Sequence, residues 1–95
     1  MSRRRYLIAY DIAETSRLHR TCAVMEGHGT RLQYSVFLCD LSCAELVVLE
    51  RQLLSVIDPS EDSVIRIDLG RTGACAVVKH MGRPRVLPHN GPQII

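Results

Sequence analysis

The sequence predicts a small α+β domain, on three observations. An apolar run at residues 6–10 is too short for a helix core and too continuous for a half-exposed strand. Apolar residues then recur with helical spacing in two separate stretches, and strand-like segments lie between and after them. At 95 residues the chain is one domain with a marginal core, so association with a partner would add to its stability.

The elements follow in order. Arg5–Ile12 reads as a strand, and its nearly unbroken apolar content suits a central position in a sheet. Ala13–Ser16 is a polar turn that offers Thr15 or Ser16 as the N-cap of the next element. Leu18, Thr21, Cys22 and Met25 fall at i, i+3, i+4 and i+7, one face of a helix. Gly27 and Gly29 mark its end, with Gly29 expected as a left-handed cap. Thr30–Leu41 is rich in β-branched and aromatic residues, and is either one long strand or two short ones folded at Gln33–Ser35. Ser42-Cys43-Ala44-Glu45 is a capping box, with Leu41 and Leu46 placed as its hydrophobic staple. Leu46, Leu49, Leu53 and Ile57 carry the second helical stripe, which Asp58-Pro59 stops. Ser63–Leu69 alternates, with Ile65, Ile67 and Leu69 on one face, and Ala74–His80 is a further short strand. The remainder is basic, Gly/Pro-rich and extended.

The order is therefore β-α-β-(β)-α-β with an extra C-terminal strand. If Thr30–Leu41 divides, this is the ferredoxin-like sandwich: one antiparallel sheet with two helices on one face. The domain is expected over residues 1–80, with 81–95 an extended tail packing on a partner protomer or protein. The helices cover one face only, so the apolar residues on the other side of the first strand call for a partner.

Composition narrows the classes. No apolar run approaches the ~20 residues of a membrane span. The basic-then-apolar N-terminus contains Asp11 and lacks a small-x-small cleavage site, so a cytoplasmic protein is expected. The four cysteines form no C-x-x-C pair, which reads as a reduced compartment. Cys39 and Cys43 with a histidine have no specific zinc spacing. Charge is unevenly spread: residues 1–39 carry +3, residues 40–70 carry −5 and residues 71–95 carry +4. Eleven of the twelve basic residues are arginine, the side chain best suited to bidentate phosphate contact. Two basic ends around an acidic middle suggest one face for a polyanion and another for a different partner.

Asp11 stands at the end of the first strand, where an ionised carboxylate is costly unless something pairs with it. It caps the following helix, is merely exposed, or serves as a metal ligand.

Three segments, "YDI" at 10–12, "GTRLQYSVFLCDLS" at 29–42 and "EDSVIRIDL" at 61–69, resemble the CRISPR-associated protein 2 family. The resemblance runs from about Tyr6 to Leu69. It implies a ferredoxin-like protomer, a homodimer formed sheet to sheet, association with the CRISPR integrase subunit during adaptation, and a Mg²⁺- or Mn²⁺-dependent endonuclease activity on RNA or DNA. By position, Asp11 is the family's strand-end aspartate, both catalytic and metal-binding, preceded by the usual aromatic, Tyr10. Arg20, and approximately Arg17, meet the basic positions of the first helix, and Arg31, Gln33, Ser35 and Phe37 match the strand motif. The chain departs from the family at Leu18, often basic there, and at Leu38, often an acid.

A two-fold axis near the strand ends would bring two Asp11 carboxylates together. At ~6 Å and an effective dielectric of ~20 they repel by ~3 kcal/mol, and a divalent cation with few carboxylates and many waters relieves that cost. Arg17, Arg20 and Arg31 are the candidate nucleic-acid contacts, with Tyr10, Ser35 and Phe37 in support. Tyr10 and Phe37 also read as packing residues, and Ser35 as a backbone hydrogen-bonding group. Two further functions are open on the same residues: a structural scaffold without catalysis, gripping duplex phosphates, and a toxin-like ribonuclease of the same fold.

Overall fold

A computed structural model describes residues 3–72 together with 79, 81 and 82. The strand expected at Ala74–His80 and the tail lie outside the described residues. The elements are β1 (Arg4–Asp11), α1 (Thr15–Glu26), β2 (Thr30–Gln33), β3 (Val36–Leu41), α2 (Cys43–Val56) and β4 (Ser63–Arg71). The strands form one antiparallel sheet in the order β2-β3-β1-β4, so the ferredoxin-like sandwich predicted from the element order is present.

The division of Thr30–Leu41, left open by periodicity, is resolved as two strands with a turn at Tyr34-Ser35. No glycine or proline makes that turn. Tyr10 of β1 holds it instead: its backbone N–H donates to the Ser35 carbonyl at 3.1 Å, and its hydroxyl donates to the Tyr34 carbonyl at 3.3 Å. Tertiary bonding thus decides what local composition does not.

Side chains alternate across β1. Tyr6, Ile8 and Tyr10 are buried with Phe37, Cys39 and Leu41 of β3, and this layer packs on Met25 of α1 and on Leu49 and Leu53 of α2. One core therefore lies between the sheet and both helices. The opposite face is bare of other elements among the described residues: register places Leu7 between Leu38 and Ile67, and Ala9 between Val36 and Ile65. Ile65 and Ile67 are 52% and 47% exposed. The alternation expected in β4 is present, with its isoleucines on the bare face.

The helix ends differ in part from expectation. The N-cap of α1 is Glu14, not Thr15 or Ser16; its carboxylate accepts from the Ser16 and Arg17 amides at 2.7 and 2.9 Å. A glutamate does this because the turn brings its longer side chain back over the first helical turn, where partial positive charge gathers. The capping box of α2 forms as predicted, with Ser42 and Glu45 each accepting from the other's backbone. Gly29 is not a left-handed cap: α1 closes at Gly27 in the right-handed region, and among the described residues only Gly70 and Gly82 have positive φ. Gly29 is needed for closeness. A Cβ there would meet Cys39 Sγ and lie 2.6 Å from the Leu38 carbonyl oxygen. The backbone carbonyl cannot yield without disturbing the β2–β3 ladder. Gly29→Ala is therefore expected to destabilise the domain by about 1–3 kcal/mol in chemical denaturation, whereas Gly27→Ala, with only an ordinary contact to meet, is expected to change it far less.

Candidate nucleic-acid and metal site

Asp11 is the last residue of β1, exposed, and paired with Ser63 at the start of β4. Strand alternation places it with Leu7 and Ala9 on the side of the bare face. It does not cap α1, since Glu14 does. Of the readings of its carboxylate, helix capping is removed, and metal ligation and plain exposure stand.

The backbone around Asp11 is fixed from both directions. On one side Tyr10 is bonded to the 34–35 turn. On the other, the Ala13 amide donates to Asp62 Oδ1 at 2.9 Å. Asp62 also accepts from the Asp58 amide at 2.8 Å and from Arg17 Nε at 2.8 Å, and its side chain is wholly buried. Arg17 and two backbone amides thus converge on one carboxylate, which they hold well below the usual carboxylate range, the Arg17 hydrogen bond foremost. Asp62 lies within the "EDSVIRIDL" segment, but nothing in its local pattern marks it as a hub. Only the fold brings residues 13, 17 and 58 to it.

The remaining candidates divide across the sheet. Arg17 is engaged by Asp62, by Glu61 at 3.0 Å and by Glu14 at 3.8 Å. Arg20 is exposed on α1 and forms no ion pair among the described residues. Arg31 pairs with Phe37 in the ladder and so faces the helices, opposite to Asp11. Its guanidinium donates to Cys22 Sγ and lies 5.8 Å from the Tyr34 ring centre and 5.7 Å from that of Phe37. Tyr10 and Phe37 stack at 6.3 Å within the core, and burial pushes the Tyr10 hydroxyl well above its ordinary value, keeping it protonated. Ser35 contributes its carbonyl to the turn. A cleft of about 330 Å³ between α2 and β4, lined by Ile8, Leu53, Leu54, Ile57 and Val64, contains none of these residues.

Among the described residues no three His, Cys, Asp or Glu side chains gather as a metal-binding group. A single exposed carboxylate nevertheless suits Mg²⁺, which takes hard oxygen donors and keeps most of its waters. The chain offers one such donor at this place.

The family model described as CRISPR associated protein Cas2 matches residues 4–74. The chain belongs to the Cas2 family. Over 59 residues it is 41% identical to the CRISPR-associated endoribonuclease Cas2 3 of Synechocystis sp., an alignment covering 62% of this chain and 64% of that relative, just under two thirds. It is 37% identical over 73 residues to the CRISPR-associated endoribonuclease Cas2 2 of Thermodesulfovibrio yellowstonii, covering 77% and 80% of the two chains. Among solved structures it is similar to Cas2 of Streptococcus pyogenes at pH 6.5, with 34% identity and a TM-score of 0.65 over 70% of this chain and 86% of that one. A hypothetical protein of Thermus thermophilus aligns with 26% identity and a TM-score of 0.76 over 87% and 95%. The resemblance read from the sequence is thus confirmed at the level of family and fold. No helix among the described residues is long and apolar enough to cross a membrane.

The Asp62 hub has a measurable signature in this Cas2 chain. A carboxylate lowered in the folded state adds stability that is fully present above its unfolded value of about 4. That stability is lost as pH falls toward the lowered value. Asp62→Asn is expected to lower the thermal midpoint at pH 7 by roughly 10 °C or more. The gap from wild type should stay nearly constant from pH 8 to about 5 and narrow below about 4. Melts across that range check it; a gap undiminished in acid would show that the Asp62 charge is not responsible.

Proposed function

We propose that this chain is a CRISPR adaptation protein that works as a homodimer, paired through the bare sheet face, and binds nucleic acid through its phosphates. Its partner in that process would be the CRISPR integrase subunit, with two integrase units held apart by the pair. The observation that carries the reading is the continuity of the bare apolar face with Asp11 at its end. A second copy covering that face would bury Leu7, Leu38, Ile65 and Ile67, each half-buried or half-exposed in the single chain and so worth about 1 kcal/mol when fully covered. A two-fold axis there would set one Asp11 beside the other.

The relatives' names as endoribonucleases support phosphodiester hydrolysis as the activity. Asp11 from each protomer would hold Mg²⁺ or Mn²⁺. When bound, that ion supplies an activated water and neutralises charge on the phosphate. Arg20, exposed and without an ion pair among the described residues, would hold a phosphate oxygen. Arg31 would act on nucleic acid only from the helix side, and Arg17 only by leaving its carboxylates. The Tyr10-Asp11-Ile12 motif carries no histidine or second carboxylate to act as a general base, so slow turnover is expected.

One observation favours the scaffold reading: the sheet separates Asp11 from Arg31. A protein that grips phosphates along its helices and pairs through its bare face needs no chemistry at Asp11. Cleavage assays decide between them. Asp11→Asn is expected to lower Mg²⁺-dependent cleavage of RNA by two orders of magnitude or more while the protein stays folded and paired. Cleavage at the wild-type rate by clean Asp11→Asn protein would remove Asp11 from catalysis, and a wild type without activity on RNA or duplex DNA would leave the scaffold.

Binding is expected to be backbone-driven, with log affinity falling linearly in log salt and little sequence preference. Arg20→Ala should weaken it and reduce the steepness of the salt dependence. A salt-insensitive affinity measured by fluorescence anisotropy would contradict a phosphate interface.

A further inference from the structure

We infer that Asp62 is a positioning residue for Asp11: its buried carboxylate fixes the backbone on which the metal-binding carboxylate stands. This rests on the reading of Asp11 as the metal ligand. Asp62 touches neither Asp11 nor substrate, and acts through two connections. Its Oδ1 accepts from the amide of Ala13, two residues beyond Asp11. Its chain neighbour Ser63 is the ladder partner of Asp11 itself. The strand end is therefore tied at residue 11 by pairing and at residue 13 by Asp62. At residue 10 it is tied by the Tyr10 amide bond to Ser35.

The chemistry of this position calls for a carboxylate. The Ala13 amide, the Asp58 amide, Arg17 Nε and, at 3.3 Å, Arg17 Nη2 all donate to it. Four N–H donors from three segments need an acceptor with four lone-pair sites and no hydrogens of its own, which an ionised carboxylate is and an amide is not. Asparagine would turn an NH₂ group toward at least one pair of donors. Arg17 is thereby explained as the counter-ion that keeps Asp62 charged inside the fold. Removing an outer group that orients a metal ligand typically costs 10–100-fold in metal affinity, and that scale separates positioning from fold stability alone.

The test is Mn²⁺ binding to the purified full chain, followed by electron paramagnetic resonance at 25 °C without nucleic acid, on wild type, Asp62→Asn, Asp11→Asn and Gly29→Ala. Gly29→Ala loses stability without touching the strand end, and serves as the stability comparison. The expected result is a Kd for Mn²⁺ raised about tenfold or more by Asp62→Asn, no binding by Asp11→Asn, and wild-type affinity in Gly29→Ala. Folded Asp62→Asn with wild-type affinity overturns the positioning role while Asp11 keeps its own. Equal loss in Gly29→Ala also overturns it, since general destabilisation would then explain the effect. Wild-type affinity in Asp11→Asn overturns the metal reading of Asp11, and the positioning role with it. If Asp62→Asn does not fold, Asp62→Glu keeps the charge but displaces the acceptor from Ala13. The same rise in Kd is expected there, and its absence overturns the proposal.

Discussion

Two short helices can cover only one face of a four-stranded sheet, and the rest of this protein depends on which face they take. They take the side of Tyr6, Ile8, Tyr10, Phe37, Cys39 and Leu41, where aromatic and sulfur-bearing side chains fill the space under α1 and α2. The other side keeps Ile65 and Ile67 exposed and Leu7, Ala9, Val36 and Leu38 only half-buried. Leaving them there forgoes several kcal/mol in a domain whose total stability is of order 5–15 kcal/mol. Such a surface is more than a scattering of exposed leucines, because it is continuous across β3, β1 and β4. It gives a Cas2 chain of this size a reason to associate, and Asp11 would stand at the rim of such an association.

Electrostatics works on a shorter scale than the blockwise charge of the sequence suggests. The basic N-terminal block and the acidic middle are not separate faces. Arg3 pairs with Glu45, Arg4 with Asp68, Arg5 with Asp40 and Arg17 with Asp62, each bringing the first block onto the second. Most of these pairs are solvent-exposed and each contributes little, about 0–1 kcal/mol. The Arg17–Asp62 pair differs because its carboxylate is buried and accepts backbone donors as well, so breaking it leaves a charge with no water to turn to. The exposed arginines left without an ion pair among the described residues are fewer than composition implies, with Arg20, Arg51 and Arg71 among them.

Much of this was legible in the sequence. Helical spacing at Leu18–Met25, the Ser42–Glu45 capping box and the Asp58-Pro59 stop are local signals, and local chemistry fixed those elements. The turn at Tyr34-Ser35 and the role of Gly29 were not legible in the same way. Both depend on contacts made across the sheet, to Tyr10 and to Cys39 and Leu38, which periodicity does not carry. The Glu14 cap was missed because the usual short capping side chains stood next to it. Asp11 was visible as an anomaly, a charge at the end of an apolar run. Asp62 was not, because a carboxylate before a strand looks like any turn residue until its four donors are assembled. The opposite placement of Asp11 and Arg31 follows from register alone, and register required the strand division to be known.

The account rests on the bare face being the place where a second copy sits. Sedimentation equilibrium of the wild type beside Ile67→Asp tests that most directly. Residue 67 is already half exposed in the single chain, so a charge there leaves the protomer folded, but it would be buried without a partner in the pair. The account expects a two-chain species for the wild type and a folded single chain for Ile67→Asp at the same concentration. A wild type that sediments as a single chain, or a pair indifferent to aspartate at position 67, would contradict it.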